Sequence, residues 1–136
     1  MPRRSLVVSI VGNCCPRCRQ GRLFLNKNPY VFKDIEKMPQ VCPKCNQDFV
    51  IEPGFYFGAT YVSYALNVAW LIPMFLFLRF AIGWSALEWQ SLLTLAIVLP
   101  ALVPVIFRLS RSIWIHLFVK YDPNIALQVE AEDVSR

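Results

Sequence analysis

Two long apolar runs organise the chain. From Phe55 to Leu78 there are 24 residues without a charge, and from Trp89 to Phe107 another 19, against about 20 for a helix that crosses a bilayer. At about 1.5 Å per residue the first run reaches about 36 Å. The pattern predicts an α-helical membrane hairpin of two transmembrane helices, over residues 55–82 and 91–119, joined by an external link at 83–90. Thr60, Ser63 and Asn67 put a polar stripe on one face of the first helix, the kind that glues helices together. Pro100 and Pro104 each free a carbonyl in the second, and the Asn67 amide is expected to donate to one of them, on Ala96 or Pro100. After Lys120, Tyr121-Asp122-Pro123-Asn124 ends the helix, and residues 120–136 read as a loosely held tail with a short helix at most. Residues 1–54 lack such runs and read as a small β-rich module. Leu6–Val11, rich in β-branched residues and bounded by Gly12-Asn13, reads as a short strand.

Composition agrees with this division. Of 136 residues 56% are hydrophobic and 17% charged, whereas about a quarter of an ordinary soluble domain is charged. The part outside the runs is too small for a large enzyme core. Charge is uneven: nine Lys/Arg against four acids in residues 1–54 give +5, and the rest sums to zero. The link carries no Lys or Arg, while Arg108, Arg111 and Lys120 follow the second run. The positive-inside bias therefore puts both termini in the cytoplasm, and Trp84, Trp89, Tyr56, Tyr61, Trp114 and Tyr121 fit the aromatic belts. Met1-Pro-Arg-Arg before Leu6–Val11 starts like a signal peptide, but a run of six residues is too short, and Asn13 before Cys14 is wrong for a lipoprotein cleavage site.

All five cysteines lie in the first 45 residues, and four form two like frames, Cys15-Pro-Arg-Cys18 and Cys42-Pro-Lys-Cys45. Two such turns supply the four soft ligands of a tetrahedral structural Zn2+ site. The 23 residues from Arg19 to Val41 exceed the common spacing, as a longer β-hairpin between the knuckles would make them. Arg17, Arg19 and Lys44 are placed to offset the charge of a four-thiolate site. Asn46 takes a left-handed conformation easily, Arg19 less so. Iron in a rubredoxin-like site takes the same ligands and stays open. A thioredoxin-like pair lacks its βαβ setting, and two disulfides would contradict the cytoplasmic side. Cys14 reads as a surface thiol, with an alternative ligand or a metal-transfer handle as sharper readings.

The basic module with Phe24, Tyr30, Phe32 and Phe49 also admits a membrane-tethered nucleic-acid binder. Nucleic acid is not expected, because membrane topology and anionic headgroups already account for the charge. Arg108, Arg111 and Trp114 mark the inner end of the second span as a contact for membrane lipids, the zinc module or a partner. No ionisable residue stands at mid-membrane and His116, the single histidine, has no catalytic partner in sequence, so no enzymatic activity is expected.

The assembled pattern resembles a known family. Cys15-Pro-Arg-Cys18-Arg-Gln-Gly21-Arg22-Leu23-Phe24, Cys42-Pro-Lys-Cys45, Gly54-Phe-Tyr56 entering two spans, and Arg108–Trp114 look like the bacterial domain of unknown function 983, in a Bacteroidetes-like form, over residues 12 to 122. Arg19 and Asn46 stand where a glycine is common in that family. The resemblance implies metal ligation at Cys15, Cys18, Cys42 and Cys45, nothing catalytic, and a place in a bacterial inner membrane. Relatives encoded beside haem-copper oxidase genes imply an accessory role in respiratory-complex assembly. The leading expectation is a non-enzymatic zinc-ribbon adaptor or assembly factor with a membrane-protein partner. The alternative is a metal- or redox-handling accessory that uses the Cys-Pro-x-Cys pairs.

Overall fold

A computed structural model describes residues 5–83 and 88–134. Arg3, Arg4, Trp84 and half of the expected link at 83–90 lie outside them, as does the side chain of Phe32. The architecture is helical: α1 (Leu6–Val11), α2 (Phe57–Phe77) continued by a π-helical turn to Ile82, α3 (Trp89–Phe118) and α4 (Pro123–Val134).

The β-rich expectation is corrected. Among the described residues there is no strand, and pairing is confined to two isolated bridges, Cys14 with Arg22 and Val41 with Asp48. Each bridge closes one cysteine turn upon itself. The segment between them forms no hairpin because its own side chains take the backbone donors: Asn26 accepts from the Asn28 amide at 3.1 Å and Asn28 from that of Tyr30 at 3.0 Å. Pro29 and Pro39 have no N–H to give a ladder. Leu6–Val11 is likewise a helix rather than a strand. Ser5 caps it, accepting from the Val8 amide, and Ser112 of α3 donates to the Ile10 carbonyl at 2.9 Å. With no neighbouring strand to pair, the run satisfies its amides internally.

The two long helices run antiparallel in contact. Few of their residues are covered by the chain itself: the most apolar window of each is 6% and 17% buried. Ser63 donates to Ser110 across the pair at 2.6 Å, and Ser110 passes a bond on to the Phe107 carbonyl. Asn67 does not bridge the helices; it donates to the Ser63 carbonyl of its own helix at 2.9 Å. An i to i−4 carbonyl is always within reach of such a side chain on a helix. Asn67→Leu is therefore expected to change thermal stability in detergent by less than about 0.5 kcal/mol, while Ser63→Ala costs about 0.6 kcal/mol; a melt of the purified variants checks both.

The last turns of α3 are clasped by the N-terminal module. Arg108 donates to the Asn26 carbonyl at 2.8 Å, Arg111 to that of Glu36 at 3.3 Å and Trp114 to that of Phe55 at 2.8 Å. Ile115 is fully buried in one cluster with Cys15, Cys18, Leu23, Phe24, Cys42, Phe49 and Val129. Phe55, Trp114 and Phe118 stack with centroids 4.8–6.2 Å apart. Gly58 at the start of α2 lies against the Trp114 indole, where a Cβ would come within 1.9 Å of the ring. The tail is not loose. Asp122 caps α4 through the Asn124 and Ile125 amides, and Gln20 donates to the Ala126 carbonyl at 3.1 Å, which seats Val129 in the core.

Candidate metal centre

The two cysteine turns have one local form. In each, the residue after the second cysteine has a positive φ, 57° at Arg19 and 51° at Asn46. Its amide then donates back to the carbonyl of the first cysteine, Arg19 to Cys15 at 2.9 Å and Asn46 to Cys42 at 3.0 Å. Arg19 bears the left-handed backbone although it is not glycine, with its guanidinium 4.1 Å above the Tyr121 ring. Arg17 turns to Gln47 rather than to the sulfurs.

These turns bring all four sulfurs within 4.8 Å of one another, with Cys15, Cys18 and Cys42 buried and Cys45 half-buried. Cys15 and Cys45 are 3.7 Å apart, Cys18 and Cys42 3.8 Å. A tetrahedron with metal–sulfur bonds of about 2.3 Å has edges of about 3.8 Å, so the set fits a metal ion. Gly21 closes the first turn: its amide faces the Cys18 sulfur at 3.5 Å and a Cβ there would stand 2.2 Å from the Cys42 sulfur. The sequence places that glycine close behind the first cysteine pair, and the structure adds the reason for it, the nearness of the Cys42 sulfur.

As free thiols Cys15 and Cys45 resist ionisation. The hydrogen bonds that the Cys15 thiol donates to Cys18 and Cys42, then burial, push it far above its ordinary value, and burial lifts Cys45 to about 12. Cys18 is held far below, because the Cys15 and Cys42 thiols donate to it. One thiolate is accommodated and further negative charge is not, unless a cation joins the cluster.

Cys14 is not a surface thiol. It is 3% exposed, with its sulfur 3.6 Å from the Gly12 carbonyl, because its amide bonds Ser9 at the end of α1 and its bridge to Arg22 draws it under the first turn. It is not among the four clustered sulfurs. Arg108, Arg111 and Trp114 meet the module's own carbonyls, as described above. His116 bonds the Ser112 carbonyl at 2.7 Å within its own helix. Phe24 and Phe49 fill the core, while Tyr30 reaches the Ala101 carbonyl on α3 at 3.1 Å.

The family model described as "Protein of unknown function (DUF983)" matches residues 32–118. The chain belongs to this DUF983 family. The matched stretch holds Cys42 and Cys45, both long helices and Arg108, Arg111 and Trp114, while Cys15 and Cys18 precede it. No curated protein and no solved structure matches the chain. Two helices long and apolar enough to cross a membrane, and four cysteines able to hold a metal ion, are thus the structural properties of this DUF983 chain.

Proposed function

We propose that this DUF983 protein is a non-enzymatic, two-span protein of the bacterial cytoplasmic membrane that holds a structural Zn2+ and acts as an adaptor or assembly factor for a membrane complex. The carrying observation is the near-tetrahedral set of four sulfurs beneath a module that grips the end of α3. Four thiolates fill a zinc ion's coordination and leave no open position for substrate, which favours a structural over a catalytic centre. Zn2+ bound there supplies the cation that lets the cysteines ionise together and so locks the module. Iron fits the same sulfurs, and zinc is preferred because the site asks for no redox change.

Membrane insertion is supported by how little of α2 and α3 is covered: Phe57, Tyr61, Tyr64, Phe77 and Phe80 are all at least 60% exposed. Apolar surface on that scale needs a nonaqueous neighbour. Both ends of the described chain lie with the basic module at one end of the hairpin, which the positive-inside bias assigns to the cytoplasm. An adaptor role draws on a recess of about 520 Å3 where Arg17, Asp48 and Lys120 stand beside Val50, Ile51 and Phe118, a largely polar surface with apolar contacts such as a non-obligate partner covers. The burial of Cys14 speaks against the metal-transfer alternative, because a transfer thiol must be reached from outside.

The test is affinity capture of the tagged chain from native membranes in mild detergent, beside Cys42→Ser. Co-purifying membrane subunits that are lost with the variant are the expected result. Recovery of the chain alone in both would overturn the adaptor reading and move weight to metal or redox handling.

A further inference from the structure

Arg108 lies at the seam between α3 and the cysteine module with 3% of its surface exposed. Its guanidinium stays charged in any protein environment. Nη1 donates to the Asn26 carbonyl, and the plane sits 4.8 Å from the centroid of the Phe24 ring. Nε and Nη2 are buried with no hydrogen-bond partner among the described residues. Those two nitrogens form one edge of the guanidinium, the edge that accepts two oxygens of one carboxylate or phosphate side by side. A buried charge left without its counter-charge is costly, and a neutral carbonyl does not replace one.

Arg108 also lines a cavity of about 300 Å3, together with Arg22, Lys27, Asn13 and Gln20 among others, with no carboxylate in its wall. Arg22 and Lys27 are exposed at its mouth. The Asn13 Oδ1, on another residue of the wall, is also buried without a partner among the described residues. Every charged group in the wall is positive, three cations face one space, and two convergent donors are unspent.

We propose that this cavity binds a phosphate-bearing anion, held by the Nε/Nη2 edge of Arg108 with Arg22 and Lys27 at the entrance. The phosphate is that of an anionic phospholipid headgroup or a free phosphate ion. The lipid source rests on the two-span reading: Arg108 follows directly on the apolar run that ends at Phe107, the depth at which headgroups stand. Binding of free phosphate does not depend on it.

The test uses the full chain in two arms. In uncharged detergent, inorganic phosphate is titrated calorimetrically; in nanodiscs of phosphatidylcholine with phosphatidylglycerol, lipids retained after release are identified by native mass spectrometry. Saturable phosphate binding or selective retention of phosphatidylglycerol is expected, the first assigning the free ion and the second the headgroup. Arg108→Gln is expected to weaken whichever is seen about tenfold to a hundredfold. Because Arg108 also supports the fold, the exposed pair Arg22→Gln with Lys27→Gln carries the same test, with an expected loss of a few-fold. Absence of binding in both arms overturns the proposal, and so does parent-like binding by the double variant.

Discussion

Cys42→Ser is expected to abolish metal binding at the proposed centre and, with it, the fold of residues 12–55. In small metal-dependent modules the binding free energy is folding free energy, about 10–16 kcal/mol for structural zinc at neutral pH. Here the reserve is small: apart from the cysteines, the buried cluster holds Leu23, Phe24, Phe49, Ile115 and Val129, too few to order so much loop unaided. Replacing a thiolate by a hydroxyl removes one soft ligand and leaves three sulfurs that resist joint ionisation. Metal content by elemental analysis should fall from one ion per chain to near zero. Limited proteolysis should cut between the two cysteine turns, while far-UV dichroism keeps most of its helical signal from α2 and α3. A variant that keeps one ion per chain, or resists protease as the parent does, would refute the structural role.

Gly58→Ala should be the most damaging small substitution in the hairpin. Its new Cβ would lie 1.9–2.4 Å from three atoms of the Trp114 indole. The ring cannot step aside cheaply, because its Nε1 is bonded to the Phe55 carbonyl and its faces meet Phe55 and Phe118. Overpacking together with the lost bond is worth about 2–4 kcal/mol. The melting temperature in detergent should drop accordingly and tryptophan emission should move to the red as the indole meets water. Unchanged values on both counts would show that α2 and α3 part easily at this level.

Much of this was legible from the chain because the strongest signals are local. Paired Cys-Pro-x-Cys turns carry their own geometry, and uninterrupted apolar runs set helix lengths without reference to neighbours. The misreadings are positions whose hydrogen-bond partner or cover the pattern does not name, some distant and some close by. Leu6–Val11 has strand propensity, and α3 offered it a helix-sized seat instead of a strand to pair with. Cys14 sits one residue from a ligand, and only the bridge to Arg22 reveals that it is covered. The polar stripe of α2 was read as helix glue, yet between Ser63 and Asn67 only Ser63 crosses, since Asn67 found a nearer acceptor. Gly21 and Gly58 matter for what they lack, which no hydropathy pattern records.

The grip on α3 has a further consequence. Arg108, Arg111, Ser112 and Trp114 all donate to main-chain oxygens of the N-terminal module, those of Asn26, Glu36, Ile10 and Phe55. Every residue type carries such an oxygen, so the identities of the accepting residues are free to drift while the grip persists. What cannot drift is their count. An insertion or deletion between Asn26 and Glu36, the two acceptors in the segment joining the cysteine turns, shifts their register against a helix that repeats every 3.6 residues, so related chains that keep the arrangement are constrained in loop length where they are released in loop sequence.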